Sequence, residues 1–129
     1  MQIISAFHGA LFQFTLFCVP KSGVHFGTYE QAAHALTIKL ARLPLKVFSS
    51  LNEDTRGQKG QILQVKLSVS RILHVKDART SAGWSKLIRR TKKEGYDSLS
   101  YQNEFEGRLQ EISYVVFNPD QIEILGIVQ

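Results

Sequence analysis

The organisation of the chain is clearest around one segment, Gly23-Val24-His25-Phe26-Gly27-Thr28-Tyr29-Glu30-Gln31-Ala32-Ala33-His34-Ala35. It begins with a short apolar run that contains one polar side chain, His25, and this run predicts a strand. Thr28 can N-cap a helix, with Gln31 three residues later as its capping-box partner. The segment therefore predicts a strand, a turn and a helix from Tyr29. A ligand could approach the backbone closely at Gly23 and Gly27, although an ordinary strand–turn–helix junction is the alternative.

Towards the amino terminus, a second apolar run is also followed by a histidine and a glycine. Residues 2–7 predict a strand that stops at Gly9, with His8 at the strand end and the Gly9 backbone open to a ligand. A lone histidine here is more often structural, so the role of His8 depends on that of His25. Residues 11–19 alternate in part and fit a strand or a covering loop equally well; Phe12, Phe14 and Phe17 are expected to pack.

Towards the carboxyl terminus, the pattern predicts a helix over Tyr29–Arg42 that ends at Pro44, and a polar loop over Ser49–Gly60. Residues 61–69 alternate between apolar and polar, which indicates a half-buried strand. The remaining predicted elements are a strand at 72–75, a helix from Thr80 or Ser81 to about Glu94 with Trp84, Leu87 and Ile88 facing inward, and strands at 96–101, 112–117 and 121–128. Many strands with two helices and no regular βαβ order predict one α+β domain over residues 1–129, with a mainly antiparallel or split sheet.

Composition limits the classes of function. The chain has 129 residues, a formal net charge of +5 and a pI near 9.5, which favours an anionic partner such as nucleic acid, a phosphorylated cofactor or an acidic protein. Cys18 is the single cysteine, and no Cys/His cluster indicates structural zinc. No secretion signal or membrane span is evident, so we expect a cytoplasmic protein. The second helix carries five basic residues (Lys86, Arg89, Arg90, Lys92 and Lys93), for which a solvated surface is favoured over a nucleic-acid contact.

Several short motifs occur together in a recognisable order. They are Phe7-His8-Gly9, then Gly23–Thr28 opening a helix, then Gly95-Tyr96-Asp97-Ser98-Leu99-Ser100-Tyr101-Gln102-Asn103, then Glu106-Gly107, and last Ser113-Tyr114-Val115-Val116-Phe117-Asn118-Pro119-Asp120-Gln121-Ile122. In this order the chain resembles ADP-ribosyltransferase domains, especially small bacterial and phage members found in polyvalent phage proteins. More distantly it is similar to the diphtheria-toxin and poly(ADP-ribose) polymerase branch. The resemblance covers nearly the whole chain.

The resemblance implies an α+β fold with a split β-sheet around an NAD cleft and two main helices. It implies that His8 holds a ribose hydroxyl and that the Gly9 backbone pairs with the nicotinamide amide. His25 stands where the family usually has a tyrosine that stacks on nicotinamide. The change is tolerable, because imidazole can still stack or form a hydrogen bond. Phe26 and Tyr29 are expected to contribute to the NAD site as well. Neither the resemblance nor the residues call for a metal.

The resemblance also implies an acidic catalytic group at the start of the late strand. Direct placement puts Ser113 there, where the family has a glutamate that grips a ribose hydroxyl and stabilises positive charge as nicotinamide leaves. Ala10 also departs from a common serine or threonine. Glu111 and Glu106 are equal candidates for the missing carboxylate, and surface carboxylates without a role are the alternative for both.

The implied activity is NAD-dependent transfer of ADP-ribose to a macromolecule. The basic charge favours nucleic acid, RNA or DNA, as the acceptor over a protein, and small proteins of this type most often resemble toxins of toxin–antitoxin or phage-defence systems, with an antitoxin as a further partner. Two other functions stay open. A non-catalytic member of the fold could bind NAD or nucleic acid, and the pair His8/His25 fits an NAD-dependent RNA 2′-phosphotransferase, which would also need arginines to grip the phosphate.

Overall fold

A computed structural model of the chain describes residues 1–10, 17, 19–41, 60–104 and 111–128. In these residues two helices and seven strands are found. In chain order they are β1 (Gln2–Ala10), β2 (Val24–Phe26), α1 (Tyr29–Ala41), β3 (Gln61–Val69), β4 (Ile72–Val75), α2 (Ser81–Lys93), β5 (Ser98–Gln102), β6 (Ile112–Val116), a 3-10 turn (Pro119–Gln121) and β7 (Ile122–Ile127). The mixed α+β content with two helices agrees with the sequence-based prediction.

The strands form two sheets. The first sheet has the order β1-β3-β7 and is antiparallel, whereas the second has the order β2-β6-β5-β4 and contains one parallel pair, β4 with β5. An isolated bridge links the sheets, since Phe7 and Gly27 exchange both backbone hydrogen bonds at 2.8 and 3.0 Å. Two sheets that meet at a single bridge separate on either side of it, and this separation provides the cleft described below.

Apolar side chains between and beside the sheets form two clusters. The alternation in β3 is confirmed, because Leu63, Val65, Leu67 and Val69 are all buried and pack in the first cluster with Phe26. The second cluster lies under α2 and includes Trp84, Ile88 and Tyr101. At about 25 cal/mol per Å² of buried apolar surface, clusters of this kind supply most of the stabilisation of a small domain.

The first strand is longer than predicted. It continues through Gly9 to Ala10, which pairs with Gln61, so the prediction that it stops at the glycine was wrong. The reason for Gly9 is the close approach of α1: a Cβ atom at this position would lie 2.4 Å from the carbonyl oxygen of Ala32. The glycine therefore makes room for the helix.

Capping explains where both helices begin. The Thr28 hydroxyl accepts from the Gln31 N–H at 3.1 Å, and the Gln31 side chain accepts from the Thr28 N–H at 3.0 Å, which confirms the predicted capping box. Thr80 caps α2 by accepting from the N–H of Gly83 at 3.0 Å. The inward faces are confirmed for Trp84 and Ile88, which are buried, whereas Leu87 is half-buried.

Other predicted boundaries differ slightly or lie outside the described residues. The strand predicted at 96–101 is found at Ser98–Gln102, because Asp97 is occupied in binding the backbone N–H groups of Ser70 and Arg71. The helix end at Arg42 and Pro44, most of the 49–60 loop and most of the 11–19 segment lie outside the described residues. No helix among the described residues is long and apolar enough to cross a membrane.

Candidate functional site

A cleft of about 570 Å³ opens where β1 and β2 diverge beyond their bridge, with α1 along one side. Its volume is in the range of small-molecule and cofactor sites. The side that β1 and α1 provide includes His8, Gly9, Ala32, Ala35 and Lys39. Phe7 of β1 and Gln31 of α1 also line the cleft. The rest of the lining comes from the segment before α1 and from β6: Phe17, Pro20, Gly23, Val24, His25, Phe26, Gly27 and Ser113.

His8 is held so that one ring nitrogen is committed and the other is not. Its Nδ1 lies 2.8 Å from the backbone carbonyl oxygen of His25. Since a carbonyl only accepts, Nδ1 carries the proton and Nε2 of the neutral ring is an acceptor. The ring packs edge-on to Phe17, with centroids 5.2 Å apart, and against Phe26 at 5.3 Å. Within the described part of the chain, Nε2 makes no hydrogen bond.

Electrostatics keep His8 neutral. Burial lowers its pKa to about 4, and the positive charge of Lys39 acts in the same direction. At neutral pH the ring is therefore an acceptor at Nε2. A group with a hydroxyl or N–H to donate is the natural ligand for it.

His25 has a different environment, although its carbonyl binds His8. Its Nε2 donates to the Ser22 carbonyl at 3.0 Å, and its Nδ1 accepts from the Tyr101 hydroxyl at 2.8 Å. The ring packs edge-on to Trp84, with centroids 4.8 Å apart, and burial lowers its pKa. Both ring nitrogens are thus used within the protein. The ring packs against Trp84 of α2 and Tyr101 of β5.

Ser113 belongs to a buried polar network that also contains Gln31 and Asn103. The Asn103 side-chain N–H donates to the Ser113 hydroxyl at 3.1 Å, and that hydroxyl donates to Gln31 Oε1 at 2.9 Å. The Gln31 amide then donates to the Glu111 carbonyl at 3.2 Å. All three side chains of this network are at most 4 % exposed. Ser113 therefore holds α1 to β6, and its hydroxyl proton is already committed.

Gly27 is required by the same network. A Cβ atom at Gly27 would lie 1.9 Å from Gln31 Oε1, the atom that accepts from both Thr28 and Ser113. The close approach that the sequence suggested at this glycine is made by a side chain of the protein itself. Gly9 differs, because its carbonyl accepts from the Lys39 ammonium at 2.6 Å at the edge of β1 that faces the cleft.

The predicted acidic residues are less closely associated with the cleft. Glu111 is half-buried and directly precedes β6, and its carbonyl accepts from the network, but its side chain is not part of the lining. Glu106 lies outside the described residues. Tyr29 is 42 % exposed and packs edge-on against Phe7. The structure thus brings together His8, Gly9, His25, Phe26 and Ser113 in the lining of the cleft.

Three contributors were not recognised in the sequence. The sequence predicted Lys39 only as a residue of α1, Gln31 only as a capping residue, and Asn103 only as a residue of the third motif. Helical spacing gave one usable signal, because Ala32, Ala35 and Lys39 recur at intervals of three and four and so share the face that lines the cleft. Nothing local in the sequence shows that Gln31 and Asn103 both bind Ser113. Gln31 and Ser113 are 82 residues apart, so this contact forms only in the folded chain.

The described residues contain no group of three or more His, Cys, Asp or Glu side chains that could hold a metal ion. No protein-family model matches the chain, and no curated protein and no solved structure matches it. The function proposed below therefore rests on the geometry of the cleft and on the resemblance of the motifs.

Proposed function

We propose that this protein is an NAD-dependent ADP-ribosyltransferase that modifies a macromolecular acceptor, nucleic acid in preference to protein. The observation that carries the proposal is the orientation of His8. A neutral imidazole donates Nδ1–H to a backbone carbonyl and lines the cleft, with Nε2 as an acceptor. A ribose hydroxyl is a donor that matches this acceptor.

The other groups of the cleft suit the remaining parts of NAD. Phe7 bonds Gly27 on the edge of β1 opposite β3, and the main-chain groups of Gly9, two residues on, point to the same edge. The Gly9 carbonyl on this edge already accepts from the Lys39 ammonium, so a planar amide such as that of nicotinamide pairs here through its own carbonyl with the Gly9 N–H. Lys39, whose ammonium is held by the Gly9 carbonyl, places a positive charge in the lining of the cleft, where it suits a diphosphate, and Phe26 and Phe17 supply apolar surface.

The reaction consumes NAD as a substrate. The C–N glycosidic bond breaks and nicotinamide leaves with the electron pair, while the acceptor nucleophile forms a bond to the same ribose carbon and gives up its proton. His8 orients the ribose throughout. A carboxylate that stabilises the developing positive charge and receives the acceptor proton is required. Ser113 cannot fill that role, so Glu111, which directly precedes β6, and Glu106 are the residues proposed for it.

A second candidate function is binding without chemistry. None of the described residues that line the cleft has a carboxylate side chain, and Ser113 replaces the expected glutamate inside a closed network. A chain of this kind would bind NAD, or another nucleotide, through His8 and Lys39 without breaking it.

One experiment tests both candidates. Purified protein is incubated with NAD labelled in the adenylate part and a bacterial lysate, and label is then measured in the RNA, DNA and protein fractions. We expect label in a nucleic-acid fraction, and no label with the His8→Ala variant. Lys76→Gln, a change at an exposed site after β4, is the matched control and should behave as the wild type.

Two glutamate variants, Glu106→Gln and Glu111→Gln, tell the candidates apart. An enzyme should lose most of its turnover in one of them while still binding NAD in calorimetry. A binding module should show NAD affinity that depends on His8 but no turnover in any variant. Absence of both NAD binding and turnover in the wild type would contradict both proposals. Growth arrest on expression, abolished by His8→Ala, would support a toxin or defence role.

A further inference from the structure

The outward side of α2 concentrates positive charge. Lys86, Arg89, Arg90 and Lys93 are all exposed, and they line a shallow groove of about 510 Å³ together with Gly83 and Leu87. We refer to these four cationic side chains as the basic face. It is separate from the cleft, which none of the four lines.

The charges of the basic face are not neutralised. The helix contains no Asp or Glu, and within the described part of the chain none of the four side chains forms an ion pair or hydrogen bond. Other cations nearby do have partners: Arg79 pairs with Glu104 at 2.6 Å, and Lys92 lies 5.8 Å from the centre of the Phe117 ring. The nearby anionic and aromatic partners thus bind other cations, and the four side chains of the basic face have none among the described residues.

Folding alone gives little reason for this arrangement. Lys86 with Arg90, and Arg89 with Lys93, are like-charge pairs four residues apart, a spacing that destabilises a helix. Favourable interaction with the negative end of the helix dipole applies only to the last turn, and therefore not to Lys86 or Arg89. This repulsion between like charges within the helix is explained if the basic face binds a polyanion.

We propose that the basic face binds the sugar–phosphate backbone of a nucleic-acid duplex. Protein interfaces are typically depleted in lysine and have an apolar centre, whereas this face offers only the half-buried Leu87. Proteins that bind single strands typically stack bases on aromatic side chains, and none of the described residues that line this groove is aromatic. Uniform cationic charge without aromatic or amide groups recognises phosphate and no particular sequence.

The spacing of the charges fits a phosphate chain. From Lys86 to Lys93 the helix rises about 10 Å, since each residue adds about 1.5 Å. One strand of a duplex carries a phosphate about every 3.4 Å of its axis, so this length of helix faces about three phosphates of one strand. The four flexible cations along this length of helix can therefore contact three to four phosphates of the duplex in total.

The position of α2 relates this surface to the proposed activity. Trp84 on the inner side of the helix packs against His25, whose backbone orients His8. The basic face is therefore about one helix diameter, roughly 10 Å, behind that contact. The inference extends the proposed function by naming duplex nucleic acid as the class of acceptor held beside the cleft, but nucleic-acid binding itself does not depend on chemistry in the cleft.

The test measures binding of short labelled duplexes, one of DNA and one of RNA with the same sequence, by fluorescence anisotropy over a range of salt. With four phosphate contacts, log K should fall with log salt with a slope of about −3 to −4, which is about a hundredfold loss between about 50 and about 200 mM. Lys86→Gln/Arg90→Gln should make this slope shallower by about 2. Lys66→Gln/Lys76→Gln removes the same charge from exposed sites elsewhere and should leave it unchanged.

Further arms separate the alternatives. Single strands of the same sequence and vesicles rich in anionic lipid are titrated in parallel. Equal affinity of the two double variants for duplex, tighter binding of single strands, or binding of vesicles without binding of duplex would each overturn the proposal. Amide chemical-shift changes confined to α2 when duplex is added to the wild type would support it without any variant. NAD turnover is measured separately on the same proteins, so that loss of duplex binding and failure of the cleft chemistry can be told apart.

Discussion

His8 and His25 share one hydrogen bond and nevertheless belong to contrasting regions. His8 belongs to an open region, the lining of the cleft beside β1, in which its Nε2 is left as an acceptor. His25, with Tyr101, Ser113, Gln31 and Asn103, forms a closed region in which ring nitrogens, hydroxyl and amide groups bind one another. Both regions are polar and both histidines have a lowered pKa.

The difference teaches that a polar residue at a sheet junction must be judged by what remains unbound. Groups whose hydrogen bonds are complete within the protein stabilise the fold and have nothing left to offer a ligand. A group held by one hydrogen bond and lacking a second has its orientation fixed in advance and keeps an acceptor for a ligand. Changes in the closed region should therefore affect stability, and changes in the open region should affect binding.

The largest expected effect follows from placing a glutamate, the residue that ADP-ribosyltransferases have at the start of their late strand, in the closed region. Ser113→Glu puts a carboxylate against Gln31 Oε1 at a site that is 2 % exposed, and we expect the free energy of unfolding to fall by roughly 3–5 kcal/mol. Ser113→Ala should cost about 1–3 kcal/mol. Trp84, the single tryptophan, reports urea unfolding. A stable Ser113→Glu protein with faster NAD turnover would contradict this expectation and would show that position 113 is available to the ligand.

Acid should destabilise the protein through the neutral histidines. The folded pKa of His8 is lowered from 6.5 to about 4, so the unfolded chain binds more protons between these values. His8 thus contributes stability that is fully present above about pH 6.5 and is lost as pH falls to about 4, with an upper limit of about 3 kcal/mol. The lowered pKa of His25 acts in the same direction.

Urea unfolding across this pH range measures the loss. The His8→Gln variant should flatten the pH profile relative to that of the wild type. A profile of His8→Gln that coincides with that of the wild type would assign the loss to other groups.

A pair of alanine variants should separate the two histidines. His25→Ala leaves the Tyr101 hydroxyl and the Ser22 carbonyl without their partner, which should cost about 2 kcal/mol of stability while NAD affinity changes little. His8→Ala should instead weaken NAD binding at least about tenfold, since a hydrogen bond to the ligand is lost. Calorimetry and urea unfolding on both proteins supply the comparison. NAD affinity that falls equally in both would mean that the regions are not distinct.

The smallest effect is expected at the helix caps. Thr28→Ala removes the capping hydroxyl of α1 and should cost about 1 kcal/mol, and Thr80→Ala should cost a similar amount on α2. Because α1 lines the cleft and carries Gln31, Thr28→Ala should also weaken NAD binding slightly, whereas Thr80→Ala should not. Equal NAD affinities for the two variants would limit the role of the capping box to stability.

Local signals in the sequence predicted much of the fold. The capping box of Thr28 and Gln31, the alternation in β3 and the start of α2 depend on neighbours within a few residues, and all three are confirmed. The end of β1 was wrong because a glycine that usually interrupts a strand was required here by contact with Ala32, which is distant in the chain.

The site was less predictable for the same reason. A histidine in the sequence does not indicate whether its nitrogens will find partners, and the partners of His25 are Ser22, three residues away, and Tyr101, 76 residues away. Ser113 and Gln31 are 82 residues apart, so their hydrogen bond exists only in the folded chain. The ADP-ribosyltransferase assignment and its roles for His8 and Gly9 stay predictions for the experiments above.

The hydrogen bond that orients His8 ends on a peptide carbonyl, and every amino acid has one. The identity of residue 25 is therefore free to change, from tyrosine to histidine for example, without releasing the ligand-facing imidazole. Such a substitution changes the packing against Trp84 and Tyr101, whereas the hydrogen bond that orients His8 is kept. Side chains at position 25 can thus vary by repacking one side of β2, while the backbone keeps the carbonyl that orients His8.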